Sequence, residues 1–116
     1  MKKILSILAS AFMVLPMSAQ NAQQQPVLDA ARSVNNYFMK KYADPTEPTF
    51  VKKIRPSSLW TRAVYYEGLM ALYEIDKNPA YIDYTDRWAN FHKWTPRNGT
   101  STCDADDQCC SQTYLD

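Results

Sequence analysis

The sequence predicts an all-α fold built of helical hairpins. Apolar residues recur at three- and four-residue steps, which is the repeat of helices that pack on one face. Proline-rich or glycine-containing segments separate these stretches, and no segment has the alternating pattern of a strand. One-face helices alternate along the chain with helices that are apolar nearly all round. We therefore expect hairpins stacked in two layers, one outer and one inner.

The first twenty residues have the pattern of a secretory signal. Two lysines precede an apolar run over residues 4–15, and a proline and small residues follow it. The run is too short to span a bilayer comfortably. We expect a periplasmic or secreted protein with its signal peptide at 1–20, a polar leader at 21–26 and the folded domain at 27–116.

The mature chain is nearly neutral. Removing residues 1–20 takes two lysines from the 13 basic side chains, which leaves 11 against 12 acidic ones. This balance gives no electrostatic argument for nucleic acid as a partner. The oligomeric state is not readable from the sequence.

Three cysteines, an odd number, leave at least one thiol unpaired within the chain. Cys109 and Cys110 are adjacent, and neighbouring cysteines seldom bridge because the geometry strains the peptide between them. The single histidine, His92, lies in a different predicted helix from Cys103 and the adjacent pair. We expect buried thiols that pack as small apolar groups rather than a metal site.

The first predicted helix runs from Val27 to about Tyr42 and has one apolar face. Three prolines, Pro45, Pro48 and Pro56, then deny the backbone regular helical hydrogen bonds. This predicts an irregular connection. Connections of this length are uncommon unless they serve a site.

The second predicted helix is capped by Ser57 or Ser58 and runs to about Ile75. Its apolar residues lie nearly all round, which is typical of a helix buried on most sides. The third helix starts with Asn78 as cap and Pro79 at its first position. Its predicted core stripe consists of Tyr81, Tyr84, Trp88 and Phe91.

A turn at Asn98-Gly99 leads to a fourth helix capped by Asp104. If consecutive helices run antiparallel, the two inner helices run parallel. The proline-rich connection and the aspartate-rich segment then share one rim of the molecule. The predicted packing face of the fourth helix is Ala105, Cys109, Thr113 and Tyr114.

Three segments together resemble a known enzyme family. They are LWTRAVYYEGLMALYE, YIDYTDRWANFHKW and NGTSTCDADDQCCSQTYLD, above all Ala105-Asp106-Asp107-Gln108-Cys109 followed by Gln112-Thr113-Tyr114. The sequence resembles glycoside hydrolase families 88 and 105, the unsaturated glucuronyl and rhamnogalacturonyl hydrolases. The resemblance implies an α6/α6 toroid, of which this chain is the first helical hairpins, truncated in its fourth helix.

The resemblance also implies a substrate and a chemistry. The family removes a 4,5-unsaturated uronic acid from the non-reducing end of pectin or glycosaminoglycan fragments that lyases release, and no metal or organic cofactor is implied. The first of its two aspartates falls on Asp106, with Asp107 as the second catalytic candidate in this chain. Ser111 stands where the family favours glycine. The family's second aspartate has no counterpart up to Asp116, so we expect this chain alone to be inactive.

The resemblance places Tyr65 and Trp60 near the sugar. Arg62, with Arg55 and Arg97 as further candidates, is expected to answer the substrate carboxylate. The nature of the sugar linked to the uronic acid stays open.

Two alternatives stand beside this hypothesis. The aspartates are also typical of a capping cluster, with one accepting first-turn N–H groups and the others solvated. In addition, the excess of aromatic residues fits a non-catalytic exported helical module that binds a sugar or a partner protein.

Overall fold

The computed structural model describes residues 17–116, with side chains from residue 24 onward, so most of the predicted signal segment lies outside the described residues. The chain is all-α, as predicted, and the described helices include none that is long and apolar enough to cross a membrane. The elements in order are α1 (Met17–Lys41), β1 (Thr49–Val51), β2 (Lys53–Arg55), α2 (Trp60–Asp76), α3 (Pro79–Phe91) and α4 (Ala105–Thr113).

Helix α1 starts ten residues earlier than the periodicity predicted, at Met17. It runs through residues 21–26, which were expected to be a leader, and includes Pro26. This stretch is rich in alanine and glutamine, which favour helix even without an apolar face to pack. The helix ends with Lys40 and Lys41, where cations stabilise the C-terminal end of the helix dipole.

A short antiparallel hairpin interrupts the proline-rich connection, so the prediction of a wholly irregular segment is wrong. β1 and β2 pair Thr49 with Arg55, and Lys52 makes the turn with a φ of 61°. Each strand has three residues, too few to show a period in the sequence. Between Pro48 and Pro56 the aromatic and β-branched side chains nevertheless favour extended backbone.

The predicted serine caps of α2 are also wrong. Its N-cap is Leu59, which makes no side-chain hydrogen bond to the helix. Ser57 lies buried two residues earlier, where its Oγ donates to the carbonyl of Thr46 at 3.1 Å and lies 2.8 Å from His92 Nε2. The helix ends at Lys77, which has left-handed backbone and donates its N–H to the carbonyl of Tyr73.

Helix α3 starts as predicted. The side chain of Asn78 accepts the N–H of Ala80 at 3.0 Å, and Pro79 takes the first helical position. The stripe prediction holds for Tyr81, Tyr84 and Trp88, which are buried. It is wrong for Phe91, the last residue of the helix, which is exposed.

Helix α2 runs antiparallel to α1, and α3 runs antiparallel to α2. The middle of α1 meets the end of α2 where Arg32 pairs with Asp76, while Phe38, further along α1, stacks on Tyr65 in the first half of α2. Tyr66 of α2 stacks on Trp88 of α3 with ring centroids 3.9 Å apart. The core consists of Ala63, Tyr66, Leu69, Met70, Tyr81, Tyr84, Trp88, Ala89 and Cys110.

Helix α4 packs against α2 and runs in the same direction. Thr113 donates a hydrogen bond to Glu67, and Asp116 shares a groove with Met70 and Glu74, one and two turns further along α2. The order of these contacts along the two helices confirms the prediction that α2 and α4 run parallel. A strip of α2 formed by Trp60, Val64 and Ile75 is open to solvent.

The packing face of α4 differs from the prediction. Ala105 is exposed and Cys109 only half-buried, whereas Asp107, Cys110 and Thr113 face the interior. The shift occurs because Asp107 is drawn inward by partners on the preceding loop, which a hydropathy pattern does not reveal.

Candidate active site at the start of α4

The aspartate cluster begins with a helix cap. The Oδ1 of Asp104 accepts the N–H of Asp106 at 2.9 Å, which satisfies one of the free donors of the first turn. The capping interpretation of the cluster therefore holds for Asp104. The other two aspartates of α4 have different environments from it and from each other.

Asp107 is buried, with only 3% of its surface exposed. One carboxylate oxygen accepts hydrogen bonds from Asn98 Nδ2 at 2.8 Å and Thr102 Oγ1 at 3.1 Å, and the other forms an ion pair with Arg97. The backbone N–H of Arg97 also donates to the Asp107 carbonyl at 3.0 Å. Asp107 thus fixes the loop over residues 97–102 to the start of α4.

Asp106 is exposed, and its carboxylate makes no hydrogen bond among the described residues. It stands in the first turn of α4, where the helix N-terminus favours a negative charge. Of the two predicted catalytic residues, Asp106 is free to contact a ligand. The carboxylate of Asp107 already has cationic and hydrogen-bonding partners.

A second carboxylate lies near this face of α4. Glu67 of α2 accepts the hydrogen bond of Thr113. Burial raises the pKa of the Cys109 thiol, and the negative charges of Glu67 and Asp106 add to this effect. Sequence reasoning missed Glu67, since its contact with Thr113 depends on the packing of α2 against α4.

Tyr65 lies on the side of α2 that faces α1. Its hydroxyl donates to Asn35 Oδ1 at 2.6 Å, and its ring stacks on Phe38 with centroids 3.5 Å apart. Burial raises its pKa well above the ordinary value, so the hydroxyl keeps its proton. No contact in residues 24–116 joins Tyr65 to Asp106 or Asp107.

Arg62 also lies away from the aspartates. Its Nη2 donates to Thr49 Oγ1 at 3.2 Å and to the Glu47 carbonyl at 3.4 Å, and its guanidinium lies over the Tyr42 ring at 4.2 Å. Arg55 lies half-buried beside it, in the same groove. The third candidate, Arg97, is already paired with Asp107.

Trp60 is the first residue of α2 and is 44% exposed. Its ring packs on no other aromatic ring among the described residues. The indole is therefore accessible as a flat surface at the rim where α2 begins. Of the three predicted sugar contacts, Trp60 is the most open to a ligand.

A cluster around Ser57 joins the proline-rich connection to the end of α3. Trp88 Nε1 donates to the Ser57 carbonyl at 3.0 Å, and His92 lies against the Ser57 hydroxyl. Partial burial lowers the pKa of His92. Because the segment after His92 leads into α4, this cluster brings the two predicted loops to one rim.

The three cysteines differ in exposure and form no disulfide with one another. Cys110 is fully buried in the core, Cys109 is half-buried and Cys103 is exposed. Over the described part of the chain, no three histidine, cysteine or acidic side chains come together as metal ligands do.

These features define a class: an all-α protein of antiparallel helical hairpins, with aspartates at the start of the helix that packs parallel to α2. The family model of Glycosyl Hydrolase Family 88 matches residues 30–116, and the chain belongs to this family of glycoside hydrolases. The match includes the second helix and the whole aspartate cluster. No curated protein and no solved structure matches the chain.

Proposed function

We propose that this chain is part of an exported hydrolase that removes a 4,5-unsaturated uronic acid from the non-reducing end of pectin or glycosaminoglycan oligosaccharides. Membership of family 88 supports the hydrolase class. The observation that carries the assignment to this site is Asp106, whose exposed carboxylate, in the first turn of α4, has no hydrogen-bonding partner in the described part of the chain.

The proposed reaction is a hydration followed by elimination. A carboxylic acid protonates the C4 end of the enol-ether double bond, and water adds to C5. The resulting hemiketal opens, and the glycosidic oxygen leaves with a proton on the released sugar. The sum is one water consumed, one unsaturated uronide converted to a keto-uronic acid, and one sugar freed.

In this scheme Asp106 contacts the substrate and handles a proton or orients the attacking water. Such catalysis requires a carboxyl group within hydrogen-bonding reach of the reacting atoms. Asp106 meets the requirement of access, since its carboxylate is exposed. Asp107 acts instead as a positioning residue, because its ion pair with Arg97 and its hydrogen bonds fix the loop beside Asp106.

The test is substitution in a form of the protein that turns over an unsaturated disaccharide, followed as loss of the double-bond absorbance. We expect Asp106→Asn to lower kcat by about 100-fold or more, the size of effect that general acid–base groups supply. Asp83→Asn is the matched control, because Asp83 is an exposed aspartate on α3. Near-normal turnover by Asp106→Asn would refute the assignment of Asp106.

A further inference from the structure

A groove of ≈ 310 Å³ lies between the end of α1, the β-hairpin and the start of α2. Phe38 of α1 and Tyr42, the residue after its end, form one wall, Thr49 and Arg55 of the hairpin form another, and Arg62 of α2 completes the groove. We call it the arginine groove. Neither Asp106 nor Asp107 lines it.

Arg62 is a buried cation without a counter-ion among residues 24–116. It is 6% exposed, and a guanidinium keeps its charge at any physiological pH. Its hydrogen-bond acceptors are a hydroxyl and a backbone carbonyl, and the nearby phenols of Tyr66 and Tyr84 are also neutral. Buried charges in proteins are normally paired with an opposite charge, because removing an ion from water costs several kcal/mol or more.

The other arginines of the described chain, unlike Arg62 and Arg55, each have a carboxylate partner. Arg32 pairs with Asp76, Arg87 with Asp44 and Arg97 with Asp107. Only Arg55 and Arg62 contact no carboxylate among these residues, and both line the arginine groove. Each also has a buried guanidinium nitrogen with no acceptor in hydrogen-bonding geometry, Arg55 Nε and Arg62 Nη1, a feature that Arg97 shares at its Nε although its guanidinium is paired with Asp107.

The surrounding sequence does not supply the missing negative charge. From Thr49 to Ala63 the chain has four cations and no acid, and Glu47, just before this stretch, meets Arg62 through its backbone carbonyl and forms no ion pair with it. Lys52 and Lys53 at the tip of the hairpin are exposed and strengthen the positive field at the entrance to the groove. The groove therefore offers an anion two guanidinium groups and a favourable approach.

We propose that the arginine groove binds a carboxylate-bearing sugar ring at a site separate from Asp106. The carboxylate would face the Arg55 and Arg62 donors, a geometry in which guanidinium groups bind carboxylates strongly. Phe38 and Tyr42 also line the groove and give it an apolar wall for the C–H groups of a sugar, although Tyr65 and the Arg62 guanidinium already contact their ring faces. The volume of the groove fits one such ring.

The location gives this site a role in the proposed reaction. Because α2 and α4 run parallel, the arginine groove at the start of α2 and Asp106 at the start of α4 lie toward the same end of the molecule. The site would hold an intact uronic acid of the oligosaccharide, away from the unsaturated sugar at Asp106. This choice of sugar rests on the proposed function, whereas the preference for an anion rests on the two arginines.

The test is a binding titration of the chain with methyl β-glucuronide, with methyl β-glucoside as the uncharged probe of the same ring. Backbone amide shifts in an NMR spectrum report which residues respond. We expect saturable shifts at Thr49, Arg55 and Arg62 with the glucuronide, at least tenfold weaker binding of the glucoside, and weaker glucuronide binding in higher salt. Equal binding of both probes, or shifts elsewhere only, would overturn the proposal.

Substitutions separate this site from the catalytic one. Arg55→Gln removes a half-buried cation from the groove and should weaken glucuronide binding about tenfold. Arg87→Gln removes an exposed arginine outside it and should leave binding within twofold. Unchanged binding by Arg55→Gln contradicts the arginine groove even if Asp106→Asn abolishes turnover. Loss of glucuronide binding in Arg55→Gln supports the arginine groove even if Asp106→Asn remains active.

Discussion

Neighbouring aspartates of α4 should differ sharply in their contribution to stability. Asp107→Asn leaves the partly buried Arg97, whose side chain is 28% exposed, without its counter-charge and weakens the hydrogen bonds from Asn98 and Thr102. Breaking a fully buried ion pair costs about 3–5 kcal/mol. Since solvent reaches Arg97, we expect a smaller loss of about 2–3 kcal/mol in the free energy of unfolding.

The matched control is Asp106→Asn, an identical change one residue away. Asp106 is exposed and its carboxylate has no hydrogen-bonding partner among residues 24–116, so only its interaction with the helix N-terminus is lost, about 0.5 kcal/mol. Urea unfolding followed by far-ultraviolet circular dichroism measures both. With a slope of about 1.5 kcal/mol per molar urea, Asp107→Asn should lower the midpoint by about 1.5 M and Asp106→Asn by about 0.3 M.

The outcome decides what Asp107 does. If both variants lose the same stability, or if Asp107→Asn loses less than about 0.5 kcal/mol, the ion pair with Arg97 does not hold the loop over residues 97–102. Asp107 would then be available as a second catalytic group. A large loss confined to Asp107→Asn supports the division into a positioning residue and a substrate-contacting residue.

Three further measurements test the packing. Trp88→Ala removes the ring that stacks on Tyr66 and the donor to the Ser57 carbonyl, and should lower the free energy of unfolding in urea by about 3–5 kcal/mol. Trp88→Phe keeps an aromatic ring and should lower it by about 1–2 kcal/mol. Equal losses in the two variants would show that the hydrogen bond contributes more than the ring packing. His92 has a lowered pKa, so its contribution to stability is present above its ordinary pKa of 6.5 and is lost as the pH falls through the lowered value. His92→Gln should therefore make the urea midpoint depend less on pH over this range. An unchanged pH dependence of the midpoint would exclude His92 as its cause. A thiol reagent should label exposed Cys103 in the folded chain and buried Cys110 only in urea, and rapid labelling of all three cysteines would contradict the core assigned around Cys110.

The helix starts of α3 and α4 were predictable because capping is local. Asn78 and Asp104 accept backbone N–H groups two residues ahead, and the side chain and its target are close in sequence. The cap of α2 was mispredicted for the opposite reason. Ser57 is hydrogen-bonded to Thr46 and lies against His92, and residues this distant in sequence meet only in the folded chain.

The candidate site divides in the same way. The motif identified both Asp106 and Asp107 as candidate catalytic residues, but it did not show that their surroundings differ. Arg97 and Asn98 had no pattern linking them to Asp107, and the burial of that carboxylate follows from the path of the loop before α4. Likewise, Arg62 was predicted to meet the substrate beside the aspartates, but its contacts place it in a separate groove.

The sequence by itself determined the all-α class, the capped starts of α3 and α4, and the aspartate motif at the start of α4. These depend on residue periodicity and on neighbours within one helical turn. Only the tertiary structure decided which aspartate is free, which arginines lack a counter-ion, and that a hairpin separates α1 from α2. Burial and ion pairing depend on contacts between residues far apart in the chain, and such contacts leave no local pattern.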